Sequence, residues 1–166
     1  MNYFIRTYQK QDLPFLWDML YHSIYLPEDE KPAKDELLKE PSIEKYLKDW
    51  GRATDHALIA ADDWGKPLGA IWMRLFAQES AGYGFIDEET PEIGMALLPE
   101  CRGKGMGGSL LRALCDLACS LNYKAVSLSV DPQNRQAVHL YEKTGFVKVK
   151  EDDGGSWVMR KQLLKD

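Results

Sequence analysis

The sequence predicts a single α/β domain, a mixed sheet with helices on its faces, spanning residues 1–166. Short β-branched and aromatic segments alternate with apolar stripes of helical period along the chain. At 166 residues and 45% hydrophobic, the chain is long enough to bury a core without disulfide or metal staples. No internal repeat or low-complexity tract suggests a solenoid or a disordered arm.

The elements follow in order. Tyr3 to Tyr8 has the β-branched and aromatic character of a first strand. Asp12 is placed to cap a helix starting at Leu13-Pro14, where proline is tolerated in the first turn. Leu13, Leu16, Trp17, Leu20 and Ile24 form its apolar stripe. Residues 27–41 are charged and proline-punctuated, a surface excursion with one helical turn. Ser42 to Trp50 reads as a short helix that Gly51 can end. His56 to Ala61 and Leu68 to Phe76 flank Asp62-Asp63-Trp64-Gly65-Lys66-Pro67, a hairpin signature. After a polar loop at 78–90, Glu92 to Leu98 is a strand that Pro99 stops. Met106 to Leu121 is the strongest helix, with Leu110, Leu111, Leu114, Leu117, Ala118 and Leu121 as its buried face. Ala125 to Val130, Phe146 to Val149 and Trp157 to Arg160 are strands, with a helix at Gln133 to Lys143 between the first two.

Charge and composition exclude several classes. With 21 Lys and Arg against 26 Asp and Glu, the net charge is −5, which argues against a nucleic-acid partner. No run of about 18 apolar residues suggests a membrane span, and the N-terminal residues lack a signal-peptide pattern. Three cysteines, Cys101, Cys115 and Cys119, do not suggest a disulfide framework, so a cytoplasmic protein is expected. His22, His56 and His139 show no metal or triad spacing.

The informative segment is Pro99-Glu100-Cys101-Arg102-Gly103-Lys104-Gly105-Met106-Gly107-Gly108-Ser109, between a strand and the strong helix. Its glycines let backbone approach a ligand. The first helical turn offers unpaired N–H groups and the positive end of the dipole. Arg102 and Lys104 add charge, and the sum is a phosphate or pyrophosphate site. The spacing matches neither the ATP-binding phosphate loop nor the dinucleotide fingerprint.

This loop resembles that of the GCN5-related N-acetyltransferases, whose acetyl-coenzyme A (acetyl-CoA) motif Arg/Gln-x-x-Gly-x-Gly/Ala is met by Arg102-x-x-Gly105-x-Gly107. The stretch Glu92 to Pro99 is similar to the family's bulged strand. Val126 to Asn134, then Ala137 and Leu140-Tyr141-Glu142-Lys143-Thr144-Gly145-Phe146, are similar to its next block. The resemblance implies the family's fold, a mostly antiparallel central sheet with helices on both faces. It implies acetyl transfer from acetyl-CoA to a primary amine by direct attack in a ternary complex, or else a non-catalytic acetyl-CoA-binding module on the same fold. By position, Met95, Ala96 and Leu97 would offer backbone to the thioester. Arg102, Gly103, Lys104, Gly105, Met106, Gly107 and Gly108 would hold the pyrophosphate. Asn134 would bond to the pantetheine arm, and Tyr141 would be the general acid.

The general base is less directly marked. Ser129 stands where some relatives carry a Glu, and it cannot serve. Glu92, at the head of the bulged strand, is the expected base, acting through a water. Asp87, Glu88 and Glu89 on the preceding loop, with Trp17, Tyr21, Tyr25 and Trp72 as an aromatic wall, point to a positively charged amine. Monomer and homodimer are both compatible with the sequence.

Overall fold

A computed structural model describes residues 2–164. Its strands are β1 (Tyr3–Thr7), β2 (His56–Asp62), β3 (Pro67–Arg74), β4 (Glu92–Leu97), β5 (Ala125–Val130), β6 (Val147–Glu151) and β7 (Trp157–Gln162). Its helices are α1 (Leu13–Ser23), α2 (Lys34–Leu37), α3 (Pro41–Glu44), α4 (Met106–Ser120) and α5 (Arg135–Lys143). The strands form one sheet in the order β1-β2-β3-β4-β5-β7-β6. All neighbours are antiparallel except β4 and β5, which run parallel.

β2 and β3 are buried on both faces, which is why they read as near-continuous apolar runs. On one face Ile71, Met73 and Ile93 pack with Leu110, Leu111 and Leu114 of α4. On the other, Ala70, Trp72 and Ala96 pack with Leu16, Met19 and Leu20 of α1 and with Tyr46 and Leu47. Leu16 and Leu110 are fully buried, so truncating either to Ala removes about 2–5 kcal/mol.

Four sequence expectations change. Asp12 does not cap α1 with its side chain. Its carboxylate instead takes Arg6 at 2.7 and 2.9 Å and the Gln9 amide at 2.7 Å, which closes the 3-10 turn ahead of the helix. The expected helix at 42–50 is regular only over α3 and continues as successive turns. Asp49, at φ 57°, enters the left-handed region before Gly51 does. Leu121 lies past the end of α4 and is exposed. Finally, β3 and β4 keep one unbroken register from Arg74↔Glu92 to Gly69↔Leu97, so the expected bulge is not in that ladder.

Candidate active site

What opens the sheet is a fork. Among the described residues β4 pairs with β5 only at Glu92↔Ser127, where the Ser127 amide reaches the Pro91 carbonyl at 3.0 Å. Beyond that rung the strands part. The Leu98 N–H donates to the Leu68 carbonyl at 2.8 Å, and alternate residues of an antiparallel ladder face the same partner. Gly94 and Ala96 therefore turn their amides to β3. Met95 and Leu97 turn theirs toward the space that β5 has left. Of the three residues expected to offer backbone to the gap, Met95 and Leu97 face it, through divergence of β5 and not through a bulge, while Ala96 is turned to β3.

The glycine loop closes one end of this fork. Gly103 and Gly105 sit at φ +76° and +86°, in the left-handed region that favours glycine. Gly105 is the N-cap of the 15-residue α4, and no side chain caps the first turn. The amides of Met106, Gly107 and Gly108 thus keep the character of an anion site. Gly107 lies against β4: a Cβ there would come 3.4 Å from Met95 Cε and 3.3 Å from Leu140 Cδ2. Arg102 and Lys104 are exposed beside it. Cys101, read in the sequence as part of the ligand loop, is buried with the core below α4.

At the rung itself stands Glu92. It is buried, and its Oε2 accepts a 2.6 Å hydrogen bond from the Tyr46 hydroxyl. That hydroxyl in turn accepts the Tyr83 amide at 2.7 Å. Burial raises the Glu92 carboxyl to about 7, against the Tyr46 bond, the Gly84 amide and the Lys45 charge, which favour the ionised form. Burial first, and then the neighbouring carboxylate, push the Tyr46 phenol well above its ordinary value. Oε1 of Glu92, Oγ of Ser127 and Nε1 of Trp72 are buried without a hydrogen-bond partner among the described residues. Trp72 lays its indole across Gly94, so the three belong to the α1 side of the sheet around the fork. The loop at 82–84 presses on the same region. A Cβ on Gly84 would stand 2.6 Å from the carbonyl carbon of Leu128 in β5.

Tyr141, on α5, is buried edge-on to Phe146 at 5.7 Å between centroids. Burial pushes its phenol up to about 12, so it stays protonated at neutral pH. Its hydroxyl makes no hydrogen bond among the described residues. Asn134 caps α5, its Oδ1 accepting the Ala137 amide at 3.4 Å.

The proposed acceptor wall is only partly a surface. Trp72 is core, and Tyr21 is engaged by Lys31, whose Nζ lies 4.1 Å from the ring centroid. Tyr25 is exposed. Glu88 accepts the Gln78 amide at 2.8 Å and Asp87 accepts Thr90 Oγ1 at 2.8 Å, while Glu89 is exposed. Sequence reading missed Tyr46 and Ser127, and also Arg74, whose signal was a cation inside an apolar strand. No cluster of potential metal ligands occurs among the described residues, and no helix is long and apolar enough to cross a membrane.

The model of the acetyltransferase (GNAT) family matches residues 17–146. A mycothiol acetyltransferase of Propionibacterium freudenreichii is 28% identical over 123 residues, which are 74% of this chain and 37% of that protein. The chain thus spans little more than a third of the length of that relative. A putative acetyltransferase of Salmonella typhimurium, solved with acetyl-CoA, superposes with a TM-score of 0.71 at 21% identity, covering 100% of this chain and 96% of that one. A chimera built on the spermidine N-acetyltransferase of Vibrio cholerae superposes with a TM-score of 0.66 at 22% identity, covering 98% of this chain and 96% of that one.

Proposed function

The chain belongs to the acetyltransferase (GNAT) family, and from that premise we propose that it moves the acetyl group of acetyl-CoA to a primary amine. The observation that carries this reading is the fork between β4 and β5, with the amides of Met95 and Leu97 facing it and the glycine-capped end of α4 beside it. An extended pantetheine arm carries amides of its own and fits where a strand is missing. Its pyrophosphate then meets the first turn of α4 with Arg102 and Lys104, and Asn134 keeps its Nδ2 donors for the arm.

The amine attacks the thioester carbonyl carbon, and the carbonyl oxygen gains charge against the β4 amides. A donor so placed contributes about 3 kcal/mol to the transition state. The amine gives up its proton to Glu92 through a water, for which Trp72 Nε1, Ser127 Oγ and Glu92 Oε1 supply unmatched donors and acceptors. A carboxyl near 7 is matched to that task at neutral pH. The C–S bond breaks, and Tyr141 protonates the departing thiolate. Holding both reactants in one complex supplies much of the rate. The acceptor carries positive charge, drawn in by the exposed acids of the 78–90 loop.

Calorimetry with acetyl-CoA, followed by thiol release over a panel of amines, tests this reading. Micromolar binding with amine-dependent thiol release is expected. Tight binding without release to any amine would favour the non-catalytic module, and absence of binding would overturn both.

A further inference from the structure

Arg74 is an arginine in an otherwise apolar strand, 1% exposed. Its Nε and Nη2 reach the equally buried Asp55 at 3.0 and 2.8 Å. Its Nη1 is used differently, donating to the carbonyls of Lys45 (2.8 Å) and Lys48 (2.7 Å). Those two carbonyls flank Tyr46. A guanidinium presents a rigid fork of donors, so this grip fixes the turn that carries the tyrosine. Tyr46 lies 46 positions from Glu92 in sequence. What brings its hydroxyl to one oxygen of that carboxylate is where Arg74 pins the turn.

We propose that Arg74 is a positioning residue of the acetyl transfer: by pinning the backbone on both sides of Tyr46 it docks the Tyr46 hydroxyl on Glu92 Oε2 and leaves Oε1 to take the amine's proton. The proposal rests on the reading of Glu92 as the base. The polar and charged groups around that carboxylate are Arg74 on β3, Lys45 and Tyr46 on the turn, the Tyr83 and Gly84 amides of the covering loop, and Ser127 on β5. Arg74 is the register partner of Glu92, but its charge is paired with Asp55.

The test is the pH dependence of kcat/KM for thiol release in the full chain, for wild type, Glu92→Gln, Tyr46→Phe, Arg74→Lys and the Tyr46→Phe/Arg74→Lys double variant. Acetyl-CoA affinity and circular dichroism serve as checks on the fold. The wild type should show an ascending limb that Glu92→Gln removes. Because the Tyr46 bond favours the ionised carboxylate, Tyr46→Phe should move that limb to higher pH and lower kcat/KM at pH 6 roughly tenfold. Arg74→Lys keeps the charge beside Asp55 but not the two-carbonyl grip, so it should move the limb in the same direction. In the Tyr46→Phe background it should move it no further. Where Arg74→Lys does not fold, Asp55→Glu, which draws the guanidinium off the carbonyls while keeping the pair, reads the same coupling. A limb unmoved by Tyr46→Phe, or equal shifts from Arg74→Lys with and without the Tyr46 hydroxyl, would overturn the positioning role while leaving Glu92 as base. A limb that survives Glu92→Gln would overturn the base itself, and the proposal with it.

Discussion

The Tyr46 hydroxyl donates to Glu92 Oε2 at 2.6 Å in a buried region, and the other oxygen of the same carboxylate has no hydrogen-bond partner among the described residues. A half-satisfied buried acid is costly when charged.

Its pH dependence follows from the sign of the shift. The Glu92 carboxyl is raised from 4.5 to about 7 on folding. Its neutral form therefore favours the fold below pH 4.5, and that contribution is lost as pH rises through 7. Glu92→Gln should match the wild type near pH 4 and exceed its stability at pH 8 by about 3 kcal/mol. Urea midpoints of the two proteins across that range are the measurement. Stability differences that do not change with pH would show that Glu92 is not perturbed in this way.

Gly105 has open space for a side chain but a φ of +86°. Replacing it with Val should cost about 1–2 kcal/mol of stability through backbone strain and abolish acetyl-CoA binding in calorimetry. Arg102→Ala should weaken binding less, because the α4 amides remain. Unchanged affinity in Gly105→Val would remove the loop from the cofactor site.

Tyr141→Phe tests the proton donor. Removing the hydroxyl should lower turnover by ~10²–10⁴ while acetyl-CoA affinity stays nearly intact. The ring contact with Phe146 survives the change, so the fold should not move. Wild-type turnover would exclude Tyr141 from the reaction.

Asp55→Asn leaves the Arg74 guanidinium buried and unpaired, and should destabilise by about 3–5 kcal/mol in urea unfolding. Burial acts to raise the Asp55 carboxyl, but the Arg74 bonds and the Arg52 and Gly51 amides outweigh it and hold the group below its ordinary value. The stabilisation it gives is present above pH 4 and fades as pH falls. The loss in Asp55→Asn should therefore be smaller at pH 3 than at pH 7, and a loss that grows toward acid would contradict the pairing.

The parts of this site that were legible in the sequence are local. Gly105 and Asn134 sit where a backbone requirement and a cap are readable from spacing, Tyr141 was singled out only by the family resemblance, and β5 and α4 are marked by their own periodicity. Tyr46 and Arg74 were not legible because their roles depend on contacts 46 and about 30 positions away. A lone charge in the apolar run of β3 was the available signal, since such a charge must find a partner. The expected bulge in β4 shows the converse. The residues marked only a strand, and the family resemblance implied its spare amides; whether they come free by a bulge or by departure of the neighbour depends on where β5 runs, not on β4 alone.

Among the described residues one rung joins the sheet at its middle, so β1–β4 and β5–β7 are held together more by the shared core than by ladder bonds. On the proposed reading, a donor molecule lying in the gap takes the place of a missing strand and binds only the folded chain. Saturation at 100 times its dissociation constant raises the unfolding free energy by about 2.7 kcal/mol. Amide hydrogen exchange along the two lips of the gap should slow together when the donor is added, and the supply of acetyl-CoA then becomes a determinant of how long the chain survives.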